Sequence, residues 1–337
     1  MMPIVLGSLA FLFAAACAAV MGYAIQRGAT CTVAAMDEVV NRRGMRRLVS
    51  LVEAAAWVTG GLLVAQALHN LPTMPAGYPL SAWTVSGGLL LGLGALVNGA
   101  CVFGAIALLG SGQWAYVLTP LGFYLGCLSA RQVFALPAHE PLPYGSPVLQ
   151  APAWAALLFL LFVAWRLVRP LLQGPGAGVG MPLLRRVRDA LGQHIWSPHA
   201  ATIVIGVTFL LMLLTAGAWA YTDVLAELAR GMAASLPARI ALALALFLGA
   251  AYGGWTAGRF RATRVTALQA ARCLLGGVLM GWGSLLIPGG NDGLILIGMP
   301  LLWPYAWVAF LAMCLSIAAG QLIWKAAAPR FARASHP

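Results

Sequence analysis

The sequence predicts an all-α polytopic membrane protein with about nine transmembrane helices, several short re-entrant or broken helices, and two inverted repeats. Composition is the first reason. Of 337 residues, 61% are hydrophobic and only 8% are charged, whereas soluble domains carry about 25% charged residues. The second reason is a succession of long apolar runs along the chain, and the third is a segment of the first half that recurs in the second half.

Nine apolar runs approach the roughly 20 residues that a helix needs to cross the hydrocarbon core of a bilayer. The first run has neither a charged start nor a convincing cleavage site, so we expect a retained span rather than a signal peptide. The runs are Pro3–Ile25, Leu48–Leu68, Leu80–Val97, Trp114–Ser129, Ala153–Val168, Ala200–Ala220, Ile240–Ala257, Gln269–Ile287 and Leu302–Trp324.

The basic residues predict the orientation of these spans, because cytoplasmic loops are enriched in Lys and Arg. With the N-terminus outside and the C-terminus in the cytoplasm of a bacterial inner membrane, 17 of the 20 basic residues are cytoplasmic. They lie within Arg27–Arg47, Arg166–Arg188, Arg259–Arg272 and Lys325–Arg333. The net charge of +12 is therefore assigned to topology and to contact with the lipid bilayer, and no nucleic-acid partner is expected.

An internal repeat appears when the sequence is shifted by 189 positions, which places Ser86–Tyr116 on Leu275–Tyr305 without a gap. The predicted topology puts the break at 98–113 on the cytoplasmic side and the equivalent break at 288–301 outside, so the copies are expected to be inverted. Inverted repeats with broken helices are a common build of secondary transporters. The identical pairs are Gly87/Gly276, Gly88/Gly277, Leu90/Leu279, Gly92/Gly281, Gly94/Gly283, Leu96/Leu285, Gly104/Gly293, Trp114/Trp303 and Tyr116/Tyr305.

The repeat divides the chain into four expected regions. The first inverted repeat covers 1–131 and the second covers 200–325. Between them, 132–199 holds an outer loop, a linking transmembrane helix and a cytoplasmic basic linker, and 326–337 forms a basic cytoplasmic tail.

Three segments are poor transmembrane helix and poor loop: Gln26–Thr32, Asn98–Gly104 and Pro288–Gly293. Each precedes a short helix-compatible stretch. A turn that leads into a helix presents free N–H groups and the positive end of the helix dipole, which attract an anion. Irregular backbone at membrane depth is tolerated where it lines a cavity or is buried in protein. The candidate pathway residues are Gly28, Thr30, Cys31, Asn98, Gly99, Cys101, Gly289, Gly290 and Asn291.

Cysteine positions separate two of the six thiols from the rest. Cys31 and Cys101 lie at two of these turns, where positive potential would make the sulfur a better hydrogen-bond donor or nucleophile, although a small residue in a tight helix contact is the alternative. The other four lie inside apolar runs and are interpreted as buried hydrophobic residues. Without CxxC spacing, no metal site, disulfide or cofactor is expected.

Glu53, Asp292 and the repeated glycines lie outside the candidate pathway set. Glu53 in the second span is either a proton or cation site or the partner of Arg46 or Arg47. Asp292 lies in the outer break, where a carboxylate would repel anions. The repeated glycines at 87–94 and 276–283 are interpreted as sites where helices cross closely.

Three stretches of sequence resemble the YeeE/YedE family of bacterial sulfur transporters: GYAIQRGATC (Gly22–Cys31), GLGALVNGACVFG (Gly92–Gly104) and GGVLMGWGSLLIPGGNDG (Gly276–Gly293). The resemblance implies an hourglass of two inverted halves that imports thiosulfate past three cysteine thiols. It assigns Cys31 and Cys101 as the first two. The third is missing, because the family's GGC pattern here reads Gly289-Gly290-Asn291.

The expected function is therefore uptake of a small, thiosulfate-like sulfur anion through a central pathway lined by thiols and helix N-termini, without enzymatic activity. A cytoplasmic sulfur-carrier protein is a candidate partner for the released anion. A membrane thiol protein that relays sulfur, a non-transporting scaffold subunit and a transporter of an unrelated solute are the alternatives.

Overall fold

The computed structural model of the protein describes residues 7–136, 138, 140–172, 195–231 and 236–334, so the predicted basic linker after residue 172 lies outside it. All regular elements in these ranges are helical. They are α1 (Leu9–Gly28), α2 (Thr32–Arg42), α3 (Arg46–Ala67), α4 (Ala82–Asn98), α5 (Val102–Gly110), α6 (Leu118–Val133), α7 (Ala153–Leu172), α8 (Pro198–Ala216), α9 (Tyr221–Ala229), α10 (Leu236–Thr256), α11 (Ala267–Leu286), α12 (Asn291–Gly293, continued by a π-helical turn over Leu294–Gly298) and α13 (Pro304–Ala334). Short 3-10 turns occur at Trp114–Val117 and Pro147–Gln150.

Length and apolarity qualify six of the described helical segments as membrane spans, or seven if α11 and α12, bent by 51° at their junction, count as one. The described part of α7 is apolar but shorter, and α6 has only 16 residues. Each of the nine predicted apolar runs contains a helix within the described residues, whereas nine crossings are not confirmed. The protein is a multi-pass membrane protein, and all regular structure in its described residues is helical.

Helix boundaries repeat along the chain at one spacing. Helices α1, α2 and α5 begin 189 residues before α8, α9 and α12, as the starting residues Leu9/Pro198, Thr32/Tyr221 and Val102/Asn291 show. The caps repeat as well. The Ser8 hydroxyl accepts a hydrogen bond from the Phe11 N–H, and the Ser197 hydroxyl accepts one from the Ala200 N–H. A serine at this position satisfies a backbone donor that the helix leaves free.

The equivalent helices α4 and α11 cross in opposite directions. A Cβ atom on Gly94 would lie 2.7 Å from the carbonyl oxygen of Gly276, and a Cβ atom on Gly283 would lie 2.7 Å from the carbonyl oxygen of Gly87. Residues late in one helix thus meet residues early in the other. The helix backbones touch at these points, which confirms the interpretation of these glycines as close-crossing residues.

Two of the short helices, α5 and α12, contact each other. Helix α5 also packs on α1 and α10, while the π-helical turn after α12 packs on α3 and α13. The site described next lies where these short helices begin.

Candidate functional site

All three predicted breaks are turns that lead into a short helix. Ala29, with φ 46°, and Gly99, with φ 79°, close α1 and α4 in the left-handed region, and Gly289 after α11 has φ 136°. A left-handed residue is a common way to end a helix. The next helix then starts from an extended residue, which is Cys31 for α2, Cys101 for α5 and Gly290 for α12.

The structure brings Cys31 and Cys101 together. The Cys101 sulfur accepts a hydrogen bond of 3.1 Å from the backbone N–H of Thr32, the first residue of α2. The two thiols also interact with each other. Cys31 needs the small Gly104 beside it, since a Cβ atom there would lie 2.5 Å from the Cys31 sulfur. Cys101 is fully buried and Cys31 is partly exposed, so the pair extends from a buried position to a more accessible one.

A small cavity adjoins Cys31 on the side of the α1–α2 turn. Gly28, Thr30, Arg47 and Ser50 are among its lining residues, and its volume is about 10 Å³, close to the minimum that holds one water molecule. The Thr30 hydroxyl is buried and has no hydrogen-bond partner among the described residues. A polar molecule in this cavity would therefore find one free hydroxyl.

The side chain of the predicted pathway residue Asn98 forms hydrogen bonds within the protein. Its amide nitrogen donates to the Ala100 carbonyl at 2.7 Å, and its amide oxygen accepts from the Thr119 hydroxyl at 2.8 Å. The Tyr116 hydroxyl donates to the Asn98 backbone carbonyl at 3.4 Å. Asn98 thus fixes the turn at Gly99 that presents Cys101.

In the second half, a polar group that the sequence analysis missed lies beside Gly290. A Cβ atom on Gly290 would lie 2.3 Å from the Thr222 hydroxyl oxygen, so Thr222 fills the space that a side chain at 290 would need. The Thr222 hydroxyl donates to one oxygen of Asp292, and the Thr222 N–H donates to the other at 3.2 Å. Both amide atoms of Asn291 are buried and have no hydrogen-bond partner among the described residues.

A signal for Thr222 was present in the sequence. The 189-residue shift places Ala220 opposite Cys31, and so predicts that the stretch at 220–222 starts a short helix as Cys31 does. The apolar run Ala200–Ala220 obscured it, because it reads as one span, whereas α8 ends at Ala216 and α9 begins at Tyr221.

A second small cavity, also of about 10 Å³, connects this region to α5. Its lining includes Asp292, Trp219, Tyr221, Phe103 and Ile106. The cavity beside Cys31 and this one are each too small for a sulfur oxyanion. The structure is closed at these two points.

Glu53 forms an ion pair with Arg166 and contacts His199, so the predicted partners Arg46 and Arg47 are wrong. Its carboxylate lies 2.8 Å from an Arg166 guanidinium nitrogen and 2.5 Å from the Nδ1 atom of His199. These partners come from α7 and α8, so Glu53 joins three helices.

The remaining cysteines, Cys17, Cys127, Cys273 and Cys314, are all buried within helices, as predicted. Only Cys31 and Cys101 start a helix.

The sequence that forms this arrangement matches a known protein family. The profile of the family described as sulphur transport matches residues 27–319 and so includes all the short helices and the turns before them. The thiosulfate transporter TsuA of Escherichia coli (strain K12) is 23% identical over 326 residues, which covers 89% of this chain and 91% of that protein. The chain belongs to the sulphur transport family (YeeE/YedE).

Proposed function

We propose that this protein carries a small, thiosulfate-like anion through the bacterial inner membrane into the cytoplasm. The observation that supports this proposal most directly is the contact between Cys31 and Cys101 at the starts of α2 and α5. The family and the name of the similar E. coli protein support a sulfur solute. In this proposal the protein is a transporter and not an enzyme, and Gly28, Thr30, Cys31, Asn98, Gly99, Cys101, Gly289, Gly290 and Asn291 form or shape the pathway.

The anion would pass the two cavities in turn. It enters beside Trp219 and Tyr221, passes Cys101 and Cys31, and leaves beside Thr30 and Arg47. Each thiol is a weak hydrogen-bond donor. The N–H groups that start α2 and α5 add the positive end of a helix dipole. Weak donors in sequence suit transport, because each site must also release the anion.

We propose two inverted halves, 1–131 and 200–325, with 132–199 as their connection and 326–337 as a cytoplasmic tail. The repeated helix starts and the opposed crossing of α4 and α11 support this division. Because the two halves are equivalent and face opposite sides of the membrane, each half can close the pathway toward one side.

The proposed orientation is tested by a reporter fused after Pro337. With the N-terminus outside and nine crossings, 17 of the 20 basic residues are cytoplasmic, so a fluorescent protein that folds only in the cytoplasm should be bright. Alkaline phosphatase, which needs the periplasm, should be inactive at the same site. The reverse pair of signals would contradict both the orientation and the inversion.

The proposed substrate class is tested by uptake into cells that lack their own sulfur-anion transporters. Cells that produce this protein should accumulate labelled thiosulfate well above cells with an empty vector, and should take up sulfate, sulfite and tetrathionate more slowly. Uptake of none of the four would contradict the proposal. A trapped persulfide on Cys31 or Cys101 without uptake would favour the sulfur-relay alternative instead.

A further inference from the structure

We propose that Asp292 and Thr222 form a proton-binding site on the anion pathway, and that Asp292 must carry a proton for the anion to pass. This inference rests on the proposed function, and it makes uptake proton-coupled. It assigns to the second half a chemistry different from the thiol pair of the first.

The two halves link the starts of their short helices through different groups: Cys101 in the first half, and in the second half Asp292, which lies two positions beyond the equivalent of Cys101. In the first half, the Cys101 sulfur accepts the N–H of Thr32 and so links the start of α5 to the start of α2. In the second half, an Asp292 oxygen accepts the N–H of Thr222 and so links the start of α12 to the start of α9. The 189-residue shift places Gly290 opposite Cys101. A carboxyl group thus makes the link that a thiol makes in the other half.

Asp292 is buried without a cationic partner. It is 2% exposed, and among the described residues it has no ion pair within 4.0 Å. A second carboxyl group, that of Asp223, interacts with it electrostatically and lies 3.7 Å from the position of a Cβ atom on Gly293. A charge without a counter-charge is energetically costly in such buried surroundings. A carboxylate loses its charge when it takes up a proton.

The surrounding titratable groups do not replace that proton. Tyr221 of α9 interacts electrostatically with Asp292 and with Cys101, and Tyr305 of α13 interacts with Asp223. Arg239, Glu227 and Arg230 also act on Asp223. Arg239 is already paired with Glu227. The charged residues of α3, the other helix packed on this turn, lie or pair elsewhere: Arg46 is exposed, Arg47 pairs with Glu38, and Glu53 pairs with Arg166.

An independent observation indicates that a polar ligand visits this place. Asn291, next to Asp292, is 0% exposed, yet neither its amide nitrogen nor its amide oxygen has a partner among the described residues. Buried polar groups are nearly always hydrogen-bonded. The amide nitrogen could donate to an anion once Asp292 is neutral, and the Thr222 hydroxyl would then be free to do the same.

The experiment uses purified full-length protein in liposomes, labelled thiosulfate outside and a pH-sensitive dye inside. For the wild type, uptake should rise by up to about tenfold for each unit by which the outer pH is lowered, which is the change in proton concentration, and the interior should acidify as thiosulfate enters. Asp292→Asn keeps a neutral group of the same shape. It should still transport, without acidification and without the dependence on outer pH.

Asp37→Asn is the matched control, because Asp37 lies on α2 and its carboxylate contacts only the neighbouring Asn41 among the hydrogen bonds described. It should behave as the wild type does. Wild-type thiosulfate uptake without acidification would overturn the proton site, even if Asp292→Asn failed to fold, and so would unchanged pH dependence in a folded Asp292→Asn protein. A wild type that transports no thiosulfate at all would instead overturn the proposed function.

Discussion

Cells that carry Cys31→Ala or Cys101→Ala are expected to take up labelled thiosulfate at background level. Each substitution removes a thiol that we place in contact with the passing anion. A hydrogen bond to a charged group contributes about 1.5–3 kcal/mol, which corresponds to a loss of roughly 10- to 100-fold for each site. Serine at either position keeps a small donor without the polarisable sulfur, so its uptake should lie between that of alanine and that of the wild type, or be absent.

Cys127→Ala and Cys314→Ala are the matched controls. Both cysteines are buried, as Cys101 is, but they lie inside helices and not at the start of one. Their uptake should remain close to that of the wild type when it is normalised to the amount of protein in the membrane. Equal losses at Cys101 and Cys314 would mean that the cysteines matter for packing and not for the solute.

Gly281→Val is expected to reduce the yield of folded protein strongly, and Gly92→Val should act in the same way. A Cβ atom on Gly281 would lie 2.3 Å from the carbonyl oxygen of Phe123, and one on Gly92 would lie 2.5 Å from that of Met313. Backbone cannot move aside as a flexible side chain can, and overpacking typically costs about 1–3 kcal/mol. Thermal unfolding in detergent and fluorescence-detected size exclusion measure the loss.

Gly145→Val is the control for the same change of residue. Nothing lies within 4 Å of a Cβ atom on Gly145, so its melting temperature and yield should match those of the wild type. If Gly281→Val and Gly92→Val were as stable as Gly145→Val, helices α11 and α4 could not cross α6 and α13 as closely as described.

Features that depend on local sequence could be predicted. The apolar runs became helices because length and composition decide whether a segment forms a helix in lipid. Cys31 and Cys101 were found as turn residues because Gly, Asn and Thr interrupt the apolar pattern around them. The glycine crossings were predicted because small residues let helix backbones approach closely.

Features that depend on contacts between residues distant in the chain could not be predicted from the sequence. Glu53 pairs with Arg166 and His199, which are more than 110 positions away, so proximity in sequence suggested the wrong arginines. The amide of Asn98 looked free at a turn, yet Thr119 and Ala100 use it. Asp292 appeared to be an obstacle to anions until the structure placed Thr222 against it.

The most direct test of the central claim is thiosulfate uptake by the purified Cys31→Ala/Cys101→Ala double variant in liposomes, beside the wild type and Cys127→Ala/Cys314→Ala at equal protein content. Size exclusion and thermal unfolding first establish that all three are folded. If the anion passes the paired thiols, the wild type and the Cys127/Cys314 variant should accumulate labelled thiosulfate and the Cys31/Cys101 variant should not exceed empty liposomes. Uptake by the folded Cys31/Cys101 variant at the wild-type rate would contradict the claim that these thiols form the pathway.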